Sequence, residues 1–160
     1  MTPPPALNVS YESLPTDPKQ RHEDLVDAFG QYLFWVRDET LTKMRTLIDS
    51  PDAREQLGTM FREAYEQAAQ LSDGDKQIAA RLAEAAVDSF AALFLVVISG
   101  VGFDDPIGPN HVLRFRFAIE ICDAHTGEII EEETINRNGQ KFFPQYWGRW
   151  LNKFSTRRPG

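Results

Sequence analysis

Few residues in this 160-residue chain are typed and spaced for chemistry. Each such group also has an ordinary structural explanation. The strongest is near the C-terminus, where Trp147, Arg149 and Trp150, with Tyr146, Lys153 and Phe154, interleave aromatic rings with cations. Bases stack on such rings while Arg and Lys hold phosphates, so the mixture suits a single-stranded nucleic acid. The same aromatics also fall on one face of a helix, and a helix docking onto a core gives that pattern too. Docking is the expectation, and nucleic acid is the less favoured partner.

Asp104 and Asp105 form a carboxylate pair in a Gly/Pro-rich stretch. Such a pair suits proton transfer or a hard cation, although loop carboxylates are ordinarily just solvated. Arg114 and Arg116 share one face of an alternating stretch and are the polar groups best placed to line a ligand pocket. Trp35 lies in Tyr32–Val36, a segment apolar beyond one helical face, so it either packs against a second layer or meets a partner.

Other chemistries lack their residues. His22, His111 and His125 are scattered, with no i, i+4 pair and no Cys-x-x-Cys, so no metal centre and no cofactor are expected. Ser99-Gly100-Val101-Gly102 runs from helix to strand, the reverse of a phosphate-binding loop. No Gly-x-Ser-x-Gly elbow is present. The single Cys122 cannot form an internal disulfide, which fits a reducing compartment.

Charge is distributed unevenly. All 24 acids lie at or before Glu133, against 11 Lys/Arg there, a net of −13. The last 27 residues hold six Lys/Arg and no acid. A basic tail lying against an acidic body is the simplest reading. The acidic body also argues against a long polyanion as partner.

Helical signals dominate the first hundred residues. Residues 1–16 hold four prolines and read as a flexible lead-in, followed by one α+β domain over 17–160. Asp17-Pro18 opens a helix that runs to about Asp49, and Ser50-Pro51 opens a second that ends near Ser72-Asp73-Gly74. A third spans about 75–99 and ends in Phe90-Ala-Ala-Leu-Phe-Leu-Val-Val-Ile98. Nine apolar residues in a row leave no polar face, so this helix is expected to be buried on all sides at the centre of the fold. Asp at Leu95 or at Val97 is therefore expected to unfold the chain. The run alone falls short of the roughly 20 apolar residues of a membrane span.

Beyond Asn110 the period changes to two. Leu113, Phe115, Phe117, Ile119 and Ile121 share one face of a strand, and Asp123 to Gly127 supplies a turn. The return strand carries Glu131, Glu132 and Glu133, so a glutamate must sit on the buried side, as an edge strand tolerates. This β-hairpin covers about 111–136. A C-terminal amphipathic helix then covers about 144–155.

Three functions remain in play. The favoured one is a small soluble cytoplasmic binding or accessory protein, without catalysis of its own, acting on another protein through its acidic surface. An inhibitor- or immunity-like role against a basic partner is its concrete form. The alternative is a small-ligand-binding protein or enzyme with a pocket between the central helix, the hairpin and the C-terminal aromatics. Nucleic-acid binding through residues 137–158 is the third. No membrane is expected.

Overall fold

The computed structural model of the chain describes residues 3–99, 105–108, 110–113, 116–136 and 142–156; side chains of 105–108 and 111–113 lie outside that description. The fold is α+β. Its elements are α1 (Pro18–Asp49), α2 (Pro51–Arg54), α3 (Thr59–Ala69), α4 (Asp73–Ser99), β1 (Asp105–Gly108), β2 (His111–Leu113), β3 (Ala118–Cys122), β4 (Ile129–Thr134) and α5 (Trp147–Phe154). Single 3-10 turns occupy Tyr11–Ser13 and Phe143–Tyr146. The chain divides into two compact units, a helical one built mainly from Val36–Phe90 and a mixed one from Pro4–Trp35 with Ala91–Gly160.

Capping chemistry sets the helix ends. The Asp17 carboxylate accepts the Gln20 backbone N–H at 2.9 Å, opening α1. The Ser50 hydroxyl accepts from Ala53 N at 3.4 Å, and Pro51 follows in the first helical position of α2. The expected second helix is two pieces. Its first four residues end at Arg54, and Gly58 opens α3 as an extended N-cap. Gly is a poor helix interior residue because it surrenders the most backbone entropy, so the break falls at its cheapest point.

In the helical unit, Arg37 is 3% exposed and fully engaged. Its Nε donates to Asp88 at 2.5 Å, Nη2 to Glu84 at 2.8 Å and Nη1 to Asp38 at 2.8 Å. The guanidinium fork thereby ties α1 to α4, and its pKa is raised, chiefly by the hydrogen bond to Asp88. Arg54 donates to the carbonyls of Leu47 and Ile48, satisfying the last turn of α1.

The mixed unit holds the larger core. Val26 and Phe34 of α1, Leu95 and Ile98 of α4, Ile135, Phe143, Tyr146 and Trp150 form one buried cluster. Gly30 exists in the middle of α1 for this packing: a Cβ there would lie 2.4 Å from the Trp150 indole. The strands form two separate antiparallel hairpins, β1 with β2 and β3 with β4. The expected single long strand from about 111 is thus divided. The β3–β4 register pairs Ile119 with Glu133 and Ile121 with Glu131, with an irregularity before Cys122. Residues 6–8 of the lead-in are held to α1, because Asn8 N donates to the Gln31 side chain and that amide donates back to the Ala6 carbonyl.

The expectation of a central helix buried on all sides is corrected. On α4 only Ala91, Leu95, Ile98 and Ser99 are buried, whereas Phe90, Leu93, Phe94 and Val97 are exposed. The run is uniformly apolar, but its surroundings cover one stripe of it. Leu95 is 0% and Val97 37% exposed. An aspartate at Leu95 would bury an unpaired charge, a cost comparable to the whole stability of a domain. Leu95→Asp should therefore unfold the mixed unit, while Val97→Asp should keep a native circular dichroism spectrum and lose no more than about 1 kcal/mol. Unfolding of both variants would restore the fully buried helix.

Candidate functional site

The best-organised polar site lies where α5 meets α1. Glu23 and Asp27 stand one turn apart on α1, and Arg149 and Lys153 one turn apart on α5, so each pair shares a helix face. Asp27 is 4% exposed. Its carboxylate accepts from Trp150 Nε1 at 3.1 Å, Arg149 Nη2 at 2.5 Å and Lys153 Nζ at 2.7 Å. Glu23 accepts from Tyr146 Oη at 2.5 Å and Arg149 Nη1 at 2.7 Å. Burial pushes the Tyr146 hydroxyl well above its usual range, and the hydrogen bond to Glu23 adds to the effect. Burial alone would lower the Arg149 pKa, but its bonds to Asp27 and Glu23 outweigh that and raise it.

This geometry decides the role of the aromatic-basic cluster for three of the sequence candidates. Trp150 is 0% exposed and stacks on Tyr146, with centroids 5.4 Å apart. Trp147 packs on Phe34 at 4.8 Å, and Arg149 is committed to two carboxylates. The buried Trp150 ring offers no face to a base, whereas Trp147 is partly buried and Arg149 half-buried within the contact that α5 makes with α1. Between α4, the β3–β4 hairpin and α5, Leu95, Ile98, Ile135 and Trp150 pack in one cluster, with Phe117 and Ile119 against it.

Of the remaining candidates, the side chains of Trp35 and Arg116 are described. Trp35 is half-buried on α1. Arg116 is exposed; it ion-pairs with Glu132 and its Nε donates to Thr134 Oγ1 at 3.0 Å. Asp104 and Arg114 lie outside the described residues, as does the side chain of Asp105 in β1. Cys122 is exposed at the end of β3.

A second polar group was not singled out in advance. Glu131 and Glu133 of β4 share a face and meet Arg21 and His22 of α1. Arg21 clasps Glu131, with Nε at 2.7 Å, and His22 Nδ1 lies 2.7 Å from Glu133. The run of three glutamates therefore has partners on both faces, Arg116 outward and Arg21 and His22 inward. A carboxylate-oriented histidine is an arrangement that general bases use. Here His22 is 6% exposed and its Nε2 is buried without a hydrogen-bond partner among the described residues. Among the described residues no three His, Cys, Asp or Glu converge as metal ligands.

The other feature is apolar. Phe90, Leu93, Phe94 and Val97 follow the i, i+3, i+4, i+7 spacing of one helix face and are 73, 67, 43 and 37% exposed. Taking about 150–250 Å² for each full aromatic side chain and somewhat less for Leu and Val, they present about 400 Å² of apolar surface. A contiguous patch of that size is commonly functional. By length and composition α4 is also apolar enough to cross a membrane, with 22% of its most apolar stretch buried.

The chain matches no protein-family model, and no curated protein or solved structure is significantly similar to it. Any functional reading must therefore come from these surfaces.

The hairpin ion pairs carry a pH signature. The hydrogen bond from Arg21 holds Glu131 below the usual carboxylate range, and the backbone N–H groups of Thr126 and His125 do the same for Asp123. A depressed folded-state pKa contributes stability that is complete above the unfolded value and lost as pH falls through the folded one. Urea midpoints should hold steady above about pH 5 and drop below about pH 4. Glu131→Gln should lower the midpoint at about pH 6, and its deficit against the parent should shrink as pH falls through the folded-state value. A deficit that grew on acidification would refute the assignment.

Proposed function

We propose that this is a small binding protein without catalysis of its own, acting by contact with another protein. Its docking surface is the exposed face of α4 around Leu93 and Val97, and its partner carries an apolar helix face or patch bordered by Lys and Arg. The carrying observation is the four large apolar side chains standing 37–73% exposed on one helix face. Elsewhere the polar residues best suited to chemistry are tied to one another in docking contacts.

Size and charge choose the partner. About 400 Å² is roughly half of what each side of a standard interface buries, so polar surroundings must supply the rest. A net charge of −7 repels a second copy and attracts a basic protein. A cytoplasmic location and an inhibitor- or immunity-like action both suit such a partner. A membrane suits the site less well, because Glu84 and Asp88 lie inside the apolar stretch of α4 and are engaged by Arg37, and charges are costly within a bilayer.

A photo-crosslinking residue at Leu93, compared with one at Glu63 on α3, tests the reading in the cells that make the protein. The expected result is an adduct with a different, Lys/Arg-rich polypeptide from position 93 only. Its purified form should bind with a salt-sensitive affinity that Leu93→Glu with Val97→Glu weakens at least tenfold, leaving the melting temperature within a few degrees. An adduct of twice the chain's own mass, flotation with lipid vesicles, or no adduct would each overturn the proposal.

A further inference from the structure

The helical unit contains a hollow that owes nothing to α4's exposed face. Leu41, Met44 and Ile48 of α1, Tyr65 of α3, and Ala80 and Ala83 of α4 line an apolar cleft of about 210 Å³. It exists because α3 and α4 turn alanines toward it, and side chains that small leave the space between three helices unfilled. The volume exceeds the roughly 150 Å³ that admits a benzene ring into an apolar cavity. Glu84 also lines it, but that carboxylate is held by Arg37.

A second cleft of about 330 Å³ adjoins the first and shares Arg45, Ile48 and Ala80 with it. Its lining is cationic: Arg45, Lys76 and Arg81 converge there, against one carboxylate, Asp49. None of the three cations has a hydrogen-bond or ion-pair partner among the described residues. That sets them apart from Arg37, engaged by three carboxylates, and from Arg54 and Arg62, which bond backbone carbonyls. In a chain of net charge −7, three uncommitted cations at the rim of an apolar hollow form a local exception.

We propose that this double cleft binds a small amphiphilic carboxylate, with an unbranched aliphatic tail between α1, α3 and α4 and its head group at Arg45, Lys76 and Arg81. Apolar transfer drives the tail inward, and a planar guanidinium suits the carboxylate as a two-point donor. Neither half suffices alone. An apolar ligand without charge leaves the cations solvated, and a bare anion forgoes the tail's contribution. The site is separate from the protein-docking face and from the α1–α5 contact, and does not depend on either.

Octanoate is the probe, titrated into the full chain by calorimetry and by chemical-shift perturbation. Saturable one-to-one binding is expected, at least tenfold tighter than octanol or acetate and weakened by salt. Shifts should fall on residues 41–48, 64–68 and 76–84. Ala83→Leu, which plugs the apolar cleft, and Arg45→Gln with Lys76→Gln, which removes head-group charge, should each weaken it at least tenfold. The surface pair keeps the test valid if the plugging variant fails to fold. Octyl phosphate binding ten times more tightly than octanoate would replace the carboxylate by a phosphate head. Octanol binding as well as octanoate, shifts clustered on 90–97, affinity unchanged in the charge variant, or no saturable binding would overturn the proposal.

Discussion

The mixed unit depends on one buried carboxylate. Asp27 would be intolerable in a core without partners, since an ion out of water costs several kcal/mol even after relaxation. Its oxygens accept from an indole N–H, a guanidinium and an ammonium, all three delivered by α5. The requirement is mutual. Trp150 needs an acceptor for its N–H when fully buried, and only a carboxylate one turn from Glu23 reaches both it and Arg149. Because the indole lies flat against α1, position 30 has to be glycine. Helix, tail and core are thus a single arrangement, and the apparent excess of basic charge at the C-terminus is in part structural.

Once Arg149 and Lys153 are committed in this way, the surfaces that remain open have a different character. In the mixed unit the open surface is a hydrocarbon face on α4. In the helical unit it is a hollow between helices with cations at its rim. Both arise where α4 carries side chains its neighbours do not match: large ones left partly exposed near its C-terminal end, and small ones that fail to fill space around Ala80 and Ala83. Arg37 holds α1 and α4 together within the helical unit through Glu84 and Asp88. A non-catalytic binding role rests on these mismatches, since the polar residues best suited to chemistry are engaged with one another.

Much of the fold could be read from local rules, because local rules determine those parts. Asp17-Pro18 and Ser50-Pro51 open helices where capping chemistry puts them, and the aromatic face of 146–154 docks as its spacing implies. The Glu131–Glu133 run was recognisable as a problem, and the Arg116–Glu132 pair across the hairpin is the part of its solution that strand alternation allows; the partners of its inner face were not legible. The residues that meet its inner face, Arg21 and His22, lie more than a hundred residues away. The same limit applies to Phe90–Ile98. A stretch apolar at every position carries no information about which side is covered, so burial of Leu95 and exposure of Leu93 follow from tertiary packing alone. The helix expected from Ser50-Pro51 to about Ser72 breaks at Gly58, which caps α3. The i, i+4 spacings of Glu23 with Asp27 and of Arg149 with Lys153 were the available signal for the α1–α5 contact, and their opposite signs match the charge asymmetry of the chain.

A double-mutant cycle between Asp27→Asn and Arg149→Met tests most directly whether the buried carboxylate holds the last helix in place. Urea unfolding of the parent, both single variants and the double variant gives the coupling. Residues that share one hydrogen-bonded network are expected to couple by about 0.5–3 kcal/mol, with the double variant less damaged than the two losses added. Losses that add to within about 0.3 kcal/mol would show that Asp27 and Arg149 act independently and that something else docks α5.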